Sequence, residues 1–298
     1  MAPPGAATLT AAFGMDIERL EIDANHFTFS ARAAGPGDGR PVLLLHGFPE
    51  TSWSWRGLLA ELGSAGYRAV APDQRGYSPK ARPPNVADYA LPLLVADVID
   101  LADTLEMATF DLIGHDWGGM VAWVTAARHA ERVRSLTVVS TPHPEALRGA
   151  LHGGGSDQAE RSGYMELFRM PDKPERLLLG DDGRGSGLRA MFESTGLDRA
   201  LSDEYVTCLT EPGALTAALN WYRAMDGGYT ESLPPIVVPT LYVWSTEDQA
   251  LGRQAAEATV EYVAGSYRFE VLEGVSHWIP EMAADDLARL VLEHLAAV

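Results

Sequence analysis

A single cysteine, Cys208, stands in 298 residues. No disulfide can form within the chain, and with no cluster of cysteines and histidines at ligand spacing there is no sign of a structural zinc site or other metal. Cys208 reads as a packing residue or a quiet surface thiol. Basic residues are also scarce: 23 Lys and Arg against 41 Asp and Glu leave a formal net charge of −18. Nucleic acid and anionic membranes would repel such a surface, which removes both as electrostatic partners. Long apolar runs are missing, since no stretch nears the ~20 residues that a membrane-spanning helix needs. The start lacks a cationic run ahead of an apolar one, so Met1 to Met15 reads as a frayed tail and the expected location is cytoplasmic.

What is present is core-forming material. Hydrophobic residues make up 46% of the chain, enough for one large domain or a domain with an insertion. No internal repeat is visible. Arg19-Leu-Glu-Ile22 and Phe27-Thr-Phe-Ser30, separated by Asp23-Ala-Asn25, predict an opening hairpin. Pro41 to Leu45 is a continuous apolar run of the kind buried on both faces of a parallel sheet. Further strands are expected at Arg68–Ala71, Phe110–Ile113, Ser135–Val139, Pro239–Trp244 and Tyr267–Leu272. Helices are expected at Trp55–Leu62, Leu93–Leu105, Met120–His129 and Asp285–Leu295. In Leu93–Leu105, Leu94, Val98 and Leu101 share one face, and Asp97, Asp100 and Asp103 are expected on a solvated one. From about His143 to Leu233 the alternation gives way to helices and loops. The expected organisation is an α/β core over 1–142, a helical cap over 143–233, and the rest of the core over 234–298, with a mostly parallel sheet.

In open α/β sheets, function gathers at the carboxyl ends of strands. Four strand ends here carry reactive groups: His46-Gly-Phe-Pro49, Asp116, Asp248 and His277. The stretch Gly114-His-Asp-Trp-Gly118 has the small-x-nucleophile-x-small pattern of a strand turning abruptly into a helix. Glycines flank the bend because a Cβ there would strike backbone. The residue lifted out is Asp116. Taken singly, each group has a bland explanation, since a histidine after a strand is more often structural and an aspartate in a loop is usually a cap or turn residue. Nucleophile, acid and histidine in that chain order are the α/β-hydrolase arrangement.

The elbow, His46-Gly-Phe-Pro49, Asp73-Gln-Arg-Gly-Tyr-Ser78, Asp248 and Ser276-His-Trp278 together resemble the epoxide hydrolase and haloalkane dehalogenase branch of the α/β-hydrolase fold, over nearly the whole chain after the tail. The resemblance implies an Asp116 nucleophile that forms an alkyl-enzyme ester, hydrolysed by water that His277 activates with Asp248 behind it. Glu247 is the rival for the acid role. Phe48 and Trp117 are expected to supply oxyanion-hole amides. Epoxide hydrolases of this branch also use two cap tyrosines to protonate the opening ring, matched here by Tyr164 in Ser162-Gly-Tyr-Met-Glu-Leu-Phe168 and Tyr222 in Asn220-Trp-Tyr-Arg223. Tyr205 and Tyr229 are alternatives, and packing alone is the bland reading of all four. A small-molecule epoxide and water are the expected partners, with no cofactor and no metal; a homodimer is left open. The alternatives are a hydrolytic dehalogenase with the same triad and a non-catalytic ligand-binding protein of the same fold. His46, Asp73 and Arg75 are expected to brace loops, Pro49 to hold a cis bond, and His115 to make a structural hydrogen bond.

Overall fold

A computed structural model describes residues 9–10, 16–153, 156–225 and 232–298. Most of the expected tail, Gly154 and Gly155 of the glycine-rich stretch, and Tyr229 lie outside them. Nine strands form one sheet: β1 (Leu9–Thr10), β2 (Asp16–Ala24), β3 (Phe27–Ala34), β4 (Arg40–Leu45), β5 (Tyr67–Pro72), β6 (Phe110–His115), β7 (Val133–Val139), β8 (Thr240–Glu247) and β9 (Tyr267–Ser276). Their order across the sheet is β1-β2-β3-β5-β4-β6-β7-β8-β9. The first three and β5 pair antiparallel, and every pairing from β5 through β4 to β9 is parallel. The opening hairpin exists, but its turn is Asn25-His26, one residue later than expected. Both residues have positive φ, 46° and 67°, the primed-turn geometry that follows the twist of two paired strands.

The central strands are buried on both faces, as their unbroken apolar runs require. Side chains alternate across a strand, so Leu43 and Leu45 of β4 join Leu112, Val121 and Trp123 on one side of the sheet. Val42 and Leu44 join Leu58, Leu62, Ile113, Leu287 and Val291 on the other. Burying each such side chain contributes about 1.5–3 kcal/mol, so the middle of the sheet is its firmest part. Loops at its carboxyl edge are therefore held on a rigid platform.

Between Val139 and Thr240 the described chain is helical: Pro144–His152, Gln158–Arg161, Tyr164–Arg169, Lys173–Leu179, Ser186–Ser194, Arg199–Leu209 and Ala214–Arg223. The Glu145 carboxylate accepts from Ser232 Oγ (2.9 Å) and Leu233 N–H (3.0 Å), so the two ends of this excursion lie side by side. Burial pushes His143, which caps the first of these helices through Glu145 N–H, down to about 4. Cys208 is partly buried near Arg82 and Tyr77 O, and burial pushes its thiol up to about 12, which suits the packing role.

One expectation fails. The helix over Leu91–Thr104 forms, but Asp97 is not on its solvated face; it is buried. Its carboxylate takes a two-point contact from Arg75, Nε at 2.7 Å and a terminal nitrogen at 2.6 Å, and a further bond from Asn25 Nδ2 at 2.7 Å. The spacing of three aspartates resembled a water-facing stripe because sequence cannot show a cation arriving from another loop. Arg75 comes from the turn after β5, and a fork-shaped guanidinium matches a buried carboxylate geometrically.

Candidate active site

Asp116 sits between β6 and the helix Trp117–Arg128 with φ 49° and ψ −119°. A non-glycine residue in that region costs of order 1–3 kcal/mol and persists only where its surroundings enforce it. The enforcement is steric. A Cβ on Gly114 would lie 2.3 Å from Gly118 O, and one on Gly118 would lie 2.1 Å from Leu45 O. Helix and strand ends therefore meet backbone to backbone, and the Asp116 side chain is lifted out of the bend toward the cavity. Thr141 Oγ1 donates to Asp116 O at 2.7 Å and holds the bend from the β7 side.

Phe48 N–H donates to Asp116 Oδ1 at 2.8 Å. Its loop comes close because residue 47 is glycine: a Cβ there would meet Asp116 Cβ at 2.4 Å. The Phe48-Pro49 peptide is cis, and His46 braces the loop, its Nε2 accepting from Gln74 N–H (3.1 Å) while its carbonyl accepts from Gln74 Nε2 (2.6 Å). Trp117 is the first residue of its helix, where an amide has no intrahelical acceptor.

His277 follows β9. Its Nδ1 is 2.9 Å from Asp248 Oδ2, and its Nε2 is 3.6 Å from Asp116 Oδ2. The other Asp248 oxygen accepts from Ala250 and Leu251 N–H, both at 2.9 Å, which fixes the carboxylate's orientation. Glu247, by contrast, is exposed and still paired with Ser276 in the sheet. Burial opposes a charge on His277, but the Asp248 and Asp116 carboxylates outweigh it and push its pKa well above the usual value. For Asp116 burial pulls upward, and the hydrogen bond and charge of His277, with His115 and the Phe48 amide, hold it below the usual range.

The structure also brings a buried carboxylate that the sequence reading did not single out. Glu50 Oε2 lies 3.0 Å from His115 Nδ1 and accepts from Gly47 N–H at 3.1 Å. The second His115 nitrogen is 3.0 Å from His277 O. Both ring nitrogens of His115 thus lie within hydrogen-bond distance of an oxygen. Burial raises the Glu50 carboxyl, but the His115 ring more than offsets it and the net direction is down. Glu50 follows the His46-Gly-Phe-Pro49 motif directly, and nothing in its local pattern marks it out.

Tyr222 reaches the site because the core receives its helix closely. Gly76, at φ 94°, leaves room where a Cβ would lie 3.0 Å from Ala217 O, and Trp221 Nε1 donates to Arg75 O at 2.8 Å. The Tyr222 ring is packed edge-on by Phe48 (5.1 Å), Trp117 (5.2 Å) and Phe168 (5.1 Å). Tyr164 stands 6.3 Å from it, ring to ring. Burial first, then the Asp116 charge, keeps the Tyr164 phenol above its ordinary range; for Tyr222, burial leads, followed by Tyr164 and Asp116. Both phenols therefore hold their protons at neutral pH. Tyr205 is elsewhere, fully buried with its hydroxyl on Glu281.

Asp116, His277, Tyr164, Tyr222 and Phe48 line one cavity of about 570 Å³. A strained carboxylate, a histidine paired with a second carboxylate, and two protonated phenols therefore gather around one cavity. Comparison with known proteins agrees at the level of family. A model of the alpha/beta hydrolase fold matches residues 40–174. The AB hydrolase superfamily protein YfhM of Bacillus subtilis (strain 168) is 35% identical over 282 residues, covering 92% of this chain and 96% of that protein. Epoxide hydrolase 4 of Mus musculus is 36% identical over 281 residues, covering 91% of this chain and 77% of that one. A solved structure described as one of the novel epoxide hydrolases from metagenomes of hot environments superposes with a TM-score of 0.83 at 29% identity, covering 93% of this chain and 98% of that one. The chain belongs to the α/β-hydrolase fold family, on its epoxide hydrolase branch. Among the described residues no helix is long and apolar enough to cross a membrane, and no group of side chains is arranged to hold a metal ion.

Proposed function

We propose that this protein is an epoxide hydrolase that converts an epoxide and water to a vicinal diol through an ester on Asp116. With Oδ1 engaged by the Phe48 amide, Oδ2 is the oxygen that attacks a ring carbon. A bond forms between Oδ2 and that carbon, the ring C–O bond breaks, and the alkoxide takes a proton from Tyr164 or Tyr222. Asp116 loses its charge in this step. One of the two carboxylates that held His277 protonated is then neutral, and His277 gives up its proton, which returns to the tyrosinate.

Neutral His277 then serves as the base for a water attacking Asp116 Cγ. The oxyanion falls on Oδ1, where Phe48 N–H already points and Trp117 N–H is the second donor; removing one such donor costs about 10²–10³ in rate. The Cγ–Oδ2 bond breaks, the departing alkoxide takes the proton of the new carboxyl group, and the diol leaves carrying the former carboxylate oxygen, with Asp116 again ionised and His277 again protonated. Asp248 orients the imidazole and balances its charge. The cap, on this reading, spans 143–233.

The observation that carries this reading is the pair of protonated phenols facing the same cavity as Asp116. A departing halide needs hydrogen-bond donors only, whereas an opening ring makes a strongly basic alkoxide that needs a proton. A single turnover with excess enzyme in ¹⁸O-water tests the route. The first diol is expected to be unlabelled in the newly added oxygen, and label there would exclude an ester on Asp116. Tyr164→Phe combined with Tyr222→Phe is expected to abolish ring opening; undiminished diol formation would remove the tyrosines from the mechanism.

A further inference from the structure

The helical insertion grips the stretch of chain that carries His277. Trp278, the next residue, is buried, and its ring stands edge-on to the His277 imidazole with 5.3 Å between centroids. Its indole N–H donates to Thr195 Oγ1 at 3.0 Å. Thr195 closes the helix Ser186–Ser194, and its hydroxyl turns its own hydrogen back to that helix, with Met191 O at 2.9 Å. The hydroxyl's donor is thus spent within the insertion, and its lone pair is left for Trp278.

Thr195 is itself presented from a docked element. The Tyr205 hydroxyl, on the helix Arg199–Leu209, donates to Glu281 Oε1 in the single-turn helix Ile279–Met282 that follows Trp278. Phe192 fills the space between the two contacts, its ring 5.4 Å from Trp278 and 5.7 Å from Tyr205. From the core, Asp248 holds one His277 ring nitrogen, and Ser140 Oγ (3.3 Å) and His115 (3.0 Å) hold its carbonyl. Those contacts fix the backbone and one end of the imidazole. The flank of the ring is walled by Trp278, whose polar atom is bonded across the cavity to Thr195.

We propose that Thr195 is a positioning residue for the second half of the reaction: it pins Trp278, and through Trp278 it keeps the His277 ring where Nε2 can take a proton from the attacking water. The proposal rests on the epoxide hydrolase reading above and on its ester route. Attack by Asp116 on a ring carbon needs the carboxylate and the phenols, whereas attack by water on the ester needs Nε2, the water and Cγ in line. An indole N–H buried without an acceptor is unfavourable, so without the Thr195 hydroxyl the Trp278 ring turns toward another partner and the imidazole loses its wall.

The test separates the two steps. Styrene oxide and 1,2-epoxyoctane are each followed by rapid quench in single turnovers with excess enzyme, measuring ester and diol. Thr195→Val keeps the side chain's shape and removes the acceptor. It is expected to form the ester within about twofold of the wild-type rate and to break it down about tenfold or more slowly, so that the ester accumulates. Thr195→Ser, which retains the hydroxyl, is expected to restore breakdown to within about threefold of wild type. Equal slowing of both steps, unchanged breakdown in Thr195→Val, or a Thr195→Ser variant as slow as Thr195→Val would overturn the proposal. ¹⁵N-resolved NMR gives a readout that needs no turnover. The Trp278 indole N–H, identified by its loss in Trp278→Phe, is expected to exchange with solvent at least tenfold faster in Thr195→Val, and the His277 ring signals to move. If the wild type forms no ester with either epoxide, the reaction assignment is what fails; faster indole exchange with displaced His277 signals then still upholds the Thr195–Trp278–His277 linkage, and unmoved His277 signals remove it.

Discussion

At the scale of single residues, the active centre is a set of charges that hold one another. Asp116 is kept ionised by His277, and His277 is kept protonated by Asp248 and Asp116, against the burial of both. On the proposed mechanism that mutual dependence supplies timing: the ring becomes a base only after Asp116 has been esterified. Asp116→Asn mimics the uncharged ester, so in that variant the His277 imidazole is expected to titrate lower than in the wild type, as ¹⁵N-resolved NMR of the histidines would show. The same variant should lose about 10⁴-fold or more in kcat. An unchanged His277 titration would mean that Asp116 does not set its charge. The elbow glycines and the order of the reactive groups were legible in the sequence, because each depends on local geometry or on where strands end; the preference for Asp248 over Glu247 came from its spacing to Trp244, which resembles the family's acid loop. Glu50 was not: its importance arises from contact with His115, which is 65 positions away.

At the scale of elements, one short helix ties the helical insertion to the loop after β8. Gln158 is fully buried. Its Oε1 accepts from Gly252 N–H at 2.8 Å and its Nε2 donates to Ala250 O at 2.8 Å, while Arg161 donates to Asp248 O at 2.6 Å. Tyr164 follows three residues after Arg161, so the segment that presents one phenol also grips the loop that presents Asp248. Gln158→Leu keeps the bulk but leaves two backbone groups unpaired. It is expected to lower kcat about ten- to a hundredfold with little change in KM, as steady-state and single-turnover kinetics would reveal; a change in KM alone would argue against a positioning role. The Arg75–Asp97 pair acts similarly beneath the second phenol, because the carbonyl of Arg75 receives the Trp221 indole. Asp97→Ala leaves a buried guanidinium unpaired and is expected to cost about 3–5 kcal/mol, measured by urea unfolding. A loss below 1 kcal/mol would show that the pair is dispensable.

For the whole molecule, the site's charges predict how stability varies with pH. The folded-state pKa of His277 lies above its unfolded value of about 6.5. Its contribution is therefore complete below about pH 6.5 and is lost as pH rises through the raised value. Asp116 and Glu50 are shifted down, so their contribution is present above about pH 4.5 and is lost as pH falls through their depressed values. Urea midpoints are expected to be highest between about pH 5 and 6.5 and to decline on the alkaline side. Asp116→Asn should flatten that alkaline decline, and an equally steep one would place its origin elsewhere.

By itself the sequence determined the α/β alternation, the interruption by a helical segment, the positions of the elbow and the candidate triad, and the two tyrosines worth testing. These follow from periodicities of two and of three to four residues, from glycines where a Cβ cannot fit, and from motifs short enough to be read within one turn of chain. Only the tertiary structure decided that Asp97 is buried under Arg75, that Glu50 stands behind His115, that Gln158 clips the helical insertion to the loop after β8, and that Tyr164 and Tyr222 share one cavity with Asp116 and His277. Each depends on which distant segments meet, and burial and charge pairing are set by those meetings rather than by neighbours along the chain.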